Sequence, residues 1–205
     1  MRWITNFSAL IAAIIWLVGF PLVMFAFFAS YFWFAALYAV LGLALIPVIS
    51  ALRHRSSARL TMAIRISGIA VSITLAMSGI GLALATLGRP VERAPDWLLG
   101  PPFIAAIALF IWIGLASFAL RGSSSAERAV CWLGFLTAAS FLLPILASLV
   151  LSFVVRGFVY TNLTILPFLL AGFLLWVSLP AWLAAVLVRM GPDSEAQRTA
   201  TARPS

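Results

Sequence analysis

Polar and apolar positions do not alternate along this chain; they segregate into long blocks. Between Arg2 and Arg53 lie 50 residues without a formal charge. A helix rises about 1.5 Å per residue, so this block is about twice what the roughly 30 Å hydrocarbon core of a bilayer needs, and it must fold back on itself. The turn is expected at Ala29, Ser30 and Tyr31, where Tyr31 and Trp33 supply aromatic groups suited to the membrane–water interface. Four further uncharged runs follow, 66–88, 97–120, 129–155 and 157–188. Each crosses once, and the last has length to spare, so its span is placed from about Ile165.

The pattern predicts helices over about 7–28, 32–52, 66–88, 99–120, 130–153 and 165–187. The expected fold class is all-α integral membrane, a six-helix transmembrane bundle with short loops forming one domain over 1–189. A count of five, with one of the first two runs lying in the interface, is the rival. Pro21 and Pro47 fall inside spans and predict kinks, which bilayers tolerate when a neighbouring group takes up the carbonyl that proline leaves without a donor. The first run resembles a signal peptide in its basic flank, but it is too long and lacks a small-residue cleavage site, so it reads as a retained span. The segment 190–205 is small, polar and aperiodic, and reads as a disordered tail.

Composition agrees with the pattern and narrows it. Hydrophobic residues make up 64% of the chain and charged ones 9%, outside the range of soluble domains. All 13 basic residues are arginine, a bias that points to a GC-rich bacterial genome and so to an inner membrane. With both termini cytoplasmic, Arg2, Arg53, Arg55, Arg59, Arg65, Arg121, Arg128, Arg189, Arg198 and Arg203 lie inside, against Arg89, Arg93 and Arg156 outside. The net charge of +8 does not imply nucleic acid, because no hydrophilic segment is long enough to fold into a domain that would present it. Trp3, Trp33, Trp97 and Trp182 are expected near the interfaces.

Candidate chemistry is sparse. In RHRSSARLTMAIR, residues 53–65, Arg53, Arg55, Arg59 and Arg65 would pin orientation and contact anionic lipid head groups at the cytoplasmic face, at about 1 kcal/mol each. The stretch lacks the glycine-rich turn of a phosphate cradle, and Ser56 or Ser57 is a candidate cap for the third helix. A single histidine, His54, excludes haem held by two histidines of this chain, and a single cysteine, Cys131, excludes an intramolecular disulfide and a multi-cysteine zinc site. No cofactor and no metal are expected.

The outer loop RPVERAPDWLLGPP carries Arg89, Glu92, Arg93, Asp96 and Trp97, a proline-braced rim that could also serve as a docking loop. In the third span Gly68, Ser72 and Ala76 form one small-residue stripe and Ala70, Thr74 and Ser78 its neighbour, so this helix is expected to pack closely at the centre of the bundle.

None of the six predicted spans contains Asp, Glu, Lys, Arg or His, which argues against coupling by titration within the bilayer. Three functions follow in order. The first is a non-enzymatic accessory, assembly or interaction component with a membrane protein partner or a second copy. The second is a carrier or channel for a lipid or uncharged small molecule, built from the proline-bearing spans around the third helix. The third is an enzyme at the lipid head-group surface using Cys131, His54 and Glu127, or Glu92 and Asp96.

Overall fold

A computed structural model describes residues 2–26, 31–52, 58–87, 100–122, 124–154 and 162–189. These form six helices: α1 Arg2–Ala26, α2 Tyr31–Ala51, α3 Ala58–Thr86, α4 Gly100–Ala119, α5 Ser125–Val154 and α6 Asn162–Arg189, with no strand among the described residues. All six are long and apolar enough to cross a membrane. The chain is a polytopic membrane protein with an all-α fold. The helix α3 starts at Ala58, ahead of the apolar boundary at residue 66, because backbone hydrogen bonding continues into the polar flank where hydropathy has already fallen. The segments 53–57, 88–99 and 155–161 and the tail from 190 lie outside the described residues.

Local chemistry sets several helix ends. Pro101 and Pro102 occupy the first turn of α4, where an N–H would have no helical partner, so nothing is lost by their lacking one. Ser124 caps α5: its hydroxyl accepts from Glu127 N at 3.2 Å while the Glu127 carboxylate accepts from Ser124 N at 3.3 Å. This reciprocal pair is a capping box. At the end of α2, Arg65 Nε reaches over from α3 and donates to Leu52 O at 2.6 Å. Its charge then sits where the helix dipole is negative.

Contacts between successive helices run antiparallel. Gly42 of α2 meets Ser72 and Ala76 of α3, while Gly79 of α3 meets Ala35 and Ala39 of α2. Phe110 of α4 stacks on Phe141 of α5 at 4.1 Å between centroids. Each helix packs on the next, and α1 closes the circle on α6. The fold is therefore an up-and-down ring of six helices. Trp16, Phe110 and Trp182 are fully buried, together with Leu41, Leu45, Leu109 and Ile113. Large rings thus occupy the space that a ring of helices would otherwise leave open.

The expectation that the third helix is central needs correction. In a ring of neighbours α3 packs mainly on α2 and α4, and the stripe bearing Ala70 and Thr74 is exposed. A small-residue face reports that a close approach is possible on that side; it does not report how many sides are used.

Candidate functional site

Lipid tails are as apolar as leucine, so helices in a bilayer associate through close packing and hydrogen bonds rather than through apolar burial alone. Both means are visible here. On the α2–α3 seam, a Cβ added at Gly42 would lie 2.6 Å from Ser72 O and 2.8 Å from Ala76 N. One at Gly79 would lie 2.7 Å from both Ala35 O and Ala39 N. The two backbones touch, each glycine fitting a shallow gap in the other helix. Gly68, Ser72 and Ala76, the stripe singled out from sequence, are all buried. Gly68 faces Trp112 of α4 as well as Ile49 of α2, so it serves two seams. The Ser72 hydroxyl makes no hydrogen bond among the described residues.

Four indoles add hydrogen bonds between helices, at the α3–α4 and α1–α6 seams and across the bundle from α6 to α4. Trp112 Nε1 donates to Ile64 O at 3.2 Å and Ser67 Oγ at 3.1 Å, joining α4 to α3. Trp182 Nε1 donates to Ser117 Oγ at 2.9 Å, joining α6 to α4. Trp16 Nε1 donates to Leu175 O at 3.3 Å and Trp176 Nε1 to Leu17 O at 2.8 Å, both between α1 and α6. Ser8 Oγ, donating to Ala44 O, adds a bond between α1 and α2.

Trp182 is thus an interior staple with no exposed surface, not the interface anchor that its place near a span end implied. A buried indole needs a partner for its N–H, and Ser117 supplies it. Gly134 of α5 completes that junction, its missing side chain leaving the room that Ser117 Oγ occupies. Among the described residues the outward tryptophans are Trp33, 57% exposed, and Trp132, 73% exposed.

The arginine cluster divides. Arg59 is exposed, as are Arg121 and Arg128 at the same end of the bundle. Arg65 is half-buried and directed to the α2 terminus. Arg53 and Arg55 lie outside the described residues, as do Arg89, Glu92, Arg93, Asp96 and Trp97 of the long loop. Replacing Arg65 by Gln should cost about 1 kcal/mol in an unfolding titration in lipid bicelles, because a charged donor at a helix end is lost. The same change at Arg59 should stay within about 0.5 kcal/mol.

Of the residues considered for surface catalysis, Glu127 and Cys131 lie one turn apart on α5, both buried, and His54 is outside the described residues. Glu127 is engaged as the acceptor of the capping box. Burial of this carboxylate was not legible from hydropathy, although the spacing of Ser124 and Glu127 ahead of an apolar run carries the capping signal.

A groove of about 450 Å³ opens laterally between α3 and α4, lined by Ala70, Val71, Thr74, Pro101, Ile104 and Ala105 among others. Its lining is almost wholly apolar, and Thr74 Oγ1 is turned back to Ala70 O of its own helix at 2.9 Å. Ala70 and Thr74 belong to the second small-residue stripe, which therefore faces outward while the first is consumed by α2. No family model, curated protein or solved structure matches this chain.

Proposed function

We propose that this membrane protein is a non-enzymatic component of a larger membrane complex, acting through its outward helix faces as an accessory, assembly or interaction subunit. One observation carries the reading. The interior of the ring is filled by Trp16, Phe110 and Trp182, and indole bonds staple α3 to α4, α4 to α6 and α6 to α1, while the concave surface between α3 and α4 looks outward.

A carrier needs a path or a midplane site between its helices. Side chains packed to this extent in the middle of the bundle count against one. Apart from Glu127, the buried polar residues described are hydroxyls, Thr5, Ser72, Thr86, Ser117, Thr137, Ser140 and Ser178, groups that orient and pack rather than titrate. In this reading the proposed partner is a transmembrane helix of another protein, approaching where Ala70, Thr74 and Ala105 leave little side chain in its way. The exposed arginine at position 59, with Arg53 and Arg55, would meet anionic lipid at the cytoplasmic face; the charge bias supports both termini being cytoplasmic, and the arginine-only basic composition supports a bacterial inner membrane.

Photo-reactive side chains placed singly at Thr74, Ile104 and Ile14 in the native membrane test the proposal. Positions 74 and 104 should give a discrete adduct with a second membrane protein, and position 14, on the opposite side of the ring, should not. Adducts with lipid alone at all three positions would sink it.

A further inference from the structure

Proline at position 21 removes the N–H that would otherwise close α1 onto the carbonyl of Leu17, four residues earlier. Within a bilayer no water replaces that donor, so the carbonyl must be satisfied by protein. The donor comes from the far end of the chain: Trp176 Nε1 of α6 reaches Leu17 O at 2.8 Å. Beside it, Trp16 Nε1 donates in the opposite direction to Leu175 O at 3.3 Å. The two bonds are not equivalent. Leu175 lies four residues before Leu179, which retains an N–H to offer it, whereas Leu17 lies four residues before a proline.

The place of this pair in the ring gives it a second meaning. Five of the six seams join helices consecutive in sequence, so a connecting segment limits how far they separate. The α1–α6 seam has no such tether. Packing and these two bonds hold it. Leu17 is 39% exposed and Trp176 is half-buried, so the shorter bond sits at the lipid-facing margin of the seam and not in the core.

We propose that the α1–α6 seam is where the bundle opens, and that the Trp176 indole latches it by returning to Leu17 the hydrogen bond that Pro21 withholds. Separation of α1 from α6 strands a backbone carbonyl in hydrocarbon, a penalty that no other seam carries through this pair of residues. The proline, costly on its own, makes closure of the ring more favourable.

The coupling between positions 21 and 176 is testable in the full chain reconstituted in bicelles. Trp176→Phe should raise the unfolding equilibrium constant roughly 3- to 20-fold, the range of interhelical hydrogen bonds in bilayers. In a Pro21→Ala background, where the restored backbone N–H at position 21 satisfies Leu17, the same change should raise it by a markedly smaller factor, packing loss being common to both backgrounds and cancelling in the comparison. Nitroxides at the exposed positions Ile14 and Phe173 should show one distance in the unaltered chain, an added longer population with Trp176→Phe, and a return towards one distance in the double variant.

Equal losses from Trp176→Phe in both backgrounds, with an unchanged distance distribution, would overturn the latch. Should Trp176→Phe fail to fold, indole N–H exchange decides the matter. In Pro21→Ala the Trp176 proton should exchange several-fold faster than in the unaltered chain, and an unchanged rate would overturn the proposal.

Discussion

Leucine in place of Gly42 should cost about 3 kcal/mol or more of bundle stability and push α2 away from α3, a change read by unfolding in bicelles. The size follows from what the side chain would meet. A Cβ alone falls 2.6 Å from a backbone oxygen and 2.8 Å from a backbone nitrogen, and backbone cannot rotate aside as a side chain can. Alanine at 42 already forces the helices apart by some tenths of an ångström, and each further carbon extends the gap. Separation then strips dispersion contacts along the whole seam, where Gly79, Ala35 and Ala39 depend on the same spacing. Gly81 on α3 is the internal control. It has open space around it, so Gly81→Ala should be neutral or stabilising by up to about 1 kcal/mol through helix propensity. If Gly42 and Gly81 respond alike, the α2–α3 contact is not the close one described.

Alanine at Gly134 should be the second costly change, about 2–3 kcal/mol, although it adds only one carbon. That carbon would take the position of Ser117 Oγ and crowd Trp182 Nε1 at 3.0 Å. One substitution therefore damages α4, α5 and α6 together: the hydroxyl must leave, and the buried indole loses its acceptor. Ser117→Ala, which removes the acceptor without overpacking, should cost less, up to about 1.7 kcal/mol. The combined Gly134→Ala and Ser117→Ala variant should not recover the loss, since Ser117 Cβ also stands in the way of the new carbon. Thermal unfolding of the three variants side by side gives the order, and recovery in the double variant would show that the hydroxyl alone was the obstacle.

These two junctions show what the sequence made legible. Six crossings were readable because 50 uncharged residues cannot cross once and stop, and because each later run matches the bilayer thickness. The close face of α3 was readable from Gly68, Ser72 and Ala76, since small residues four apart leave a flat stripe. Its partner was not readable, because the stripe of Ala70, Thr74 and Ser78 has the same character and differs only in what lies opposite.

Tryptophan carried a signal that the charge-free pattern hid. Trp16, Trp112 and Trp176 fall well inside their helices, where an indole N–H against lipid would be unsatisfied, so such positions point inward or across a seam. Trp182 stands nearer the end of its predicted span at 187, and only its burial distinguishes a staple from an interface anchor. Arg65 was grouped with its neighbours by sequence proximity, but a helical position seven residues into α3 turns it back to the α2 terminus that the hairpin brings alongside. The expectation that neighbouring groups take up carbonyls freed by proline finds its instance at Pro21, though nothing in the local sequence could name Trp176 as the donor.

A protein that works through its outward faces should leave the membrane in company. The most direct test is gentle extraction of the tagged chain from its native membrane, followed by size-exclusion chromatography and mass spectrometry of everything that co-elutes. A second membrane protein should appear in fixed stoichiometry, released when Ala70 or Thr74 is replaced by a bulky residue on the α3–α4 face. Elution of the chain alone, with unchanged mass in those variants, would contradict the proposed role.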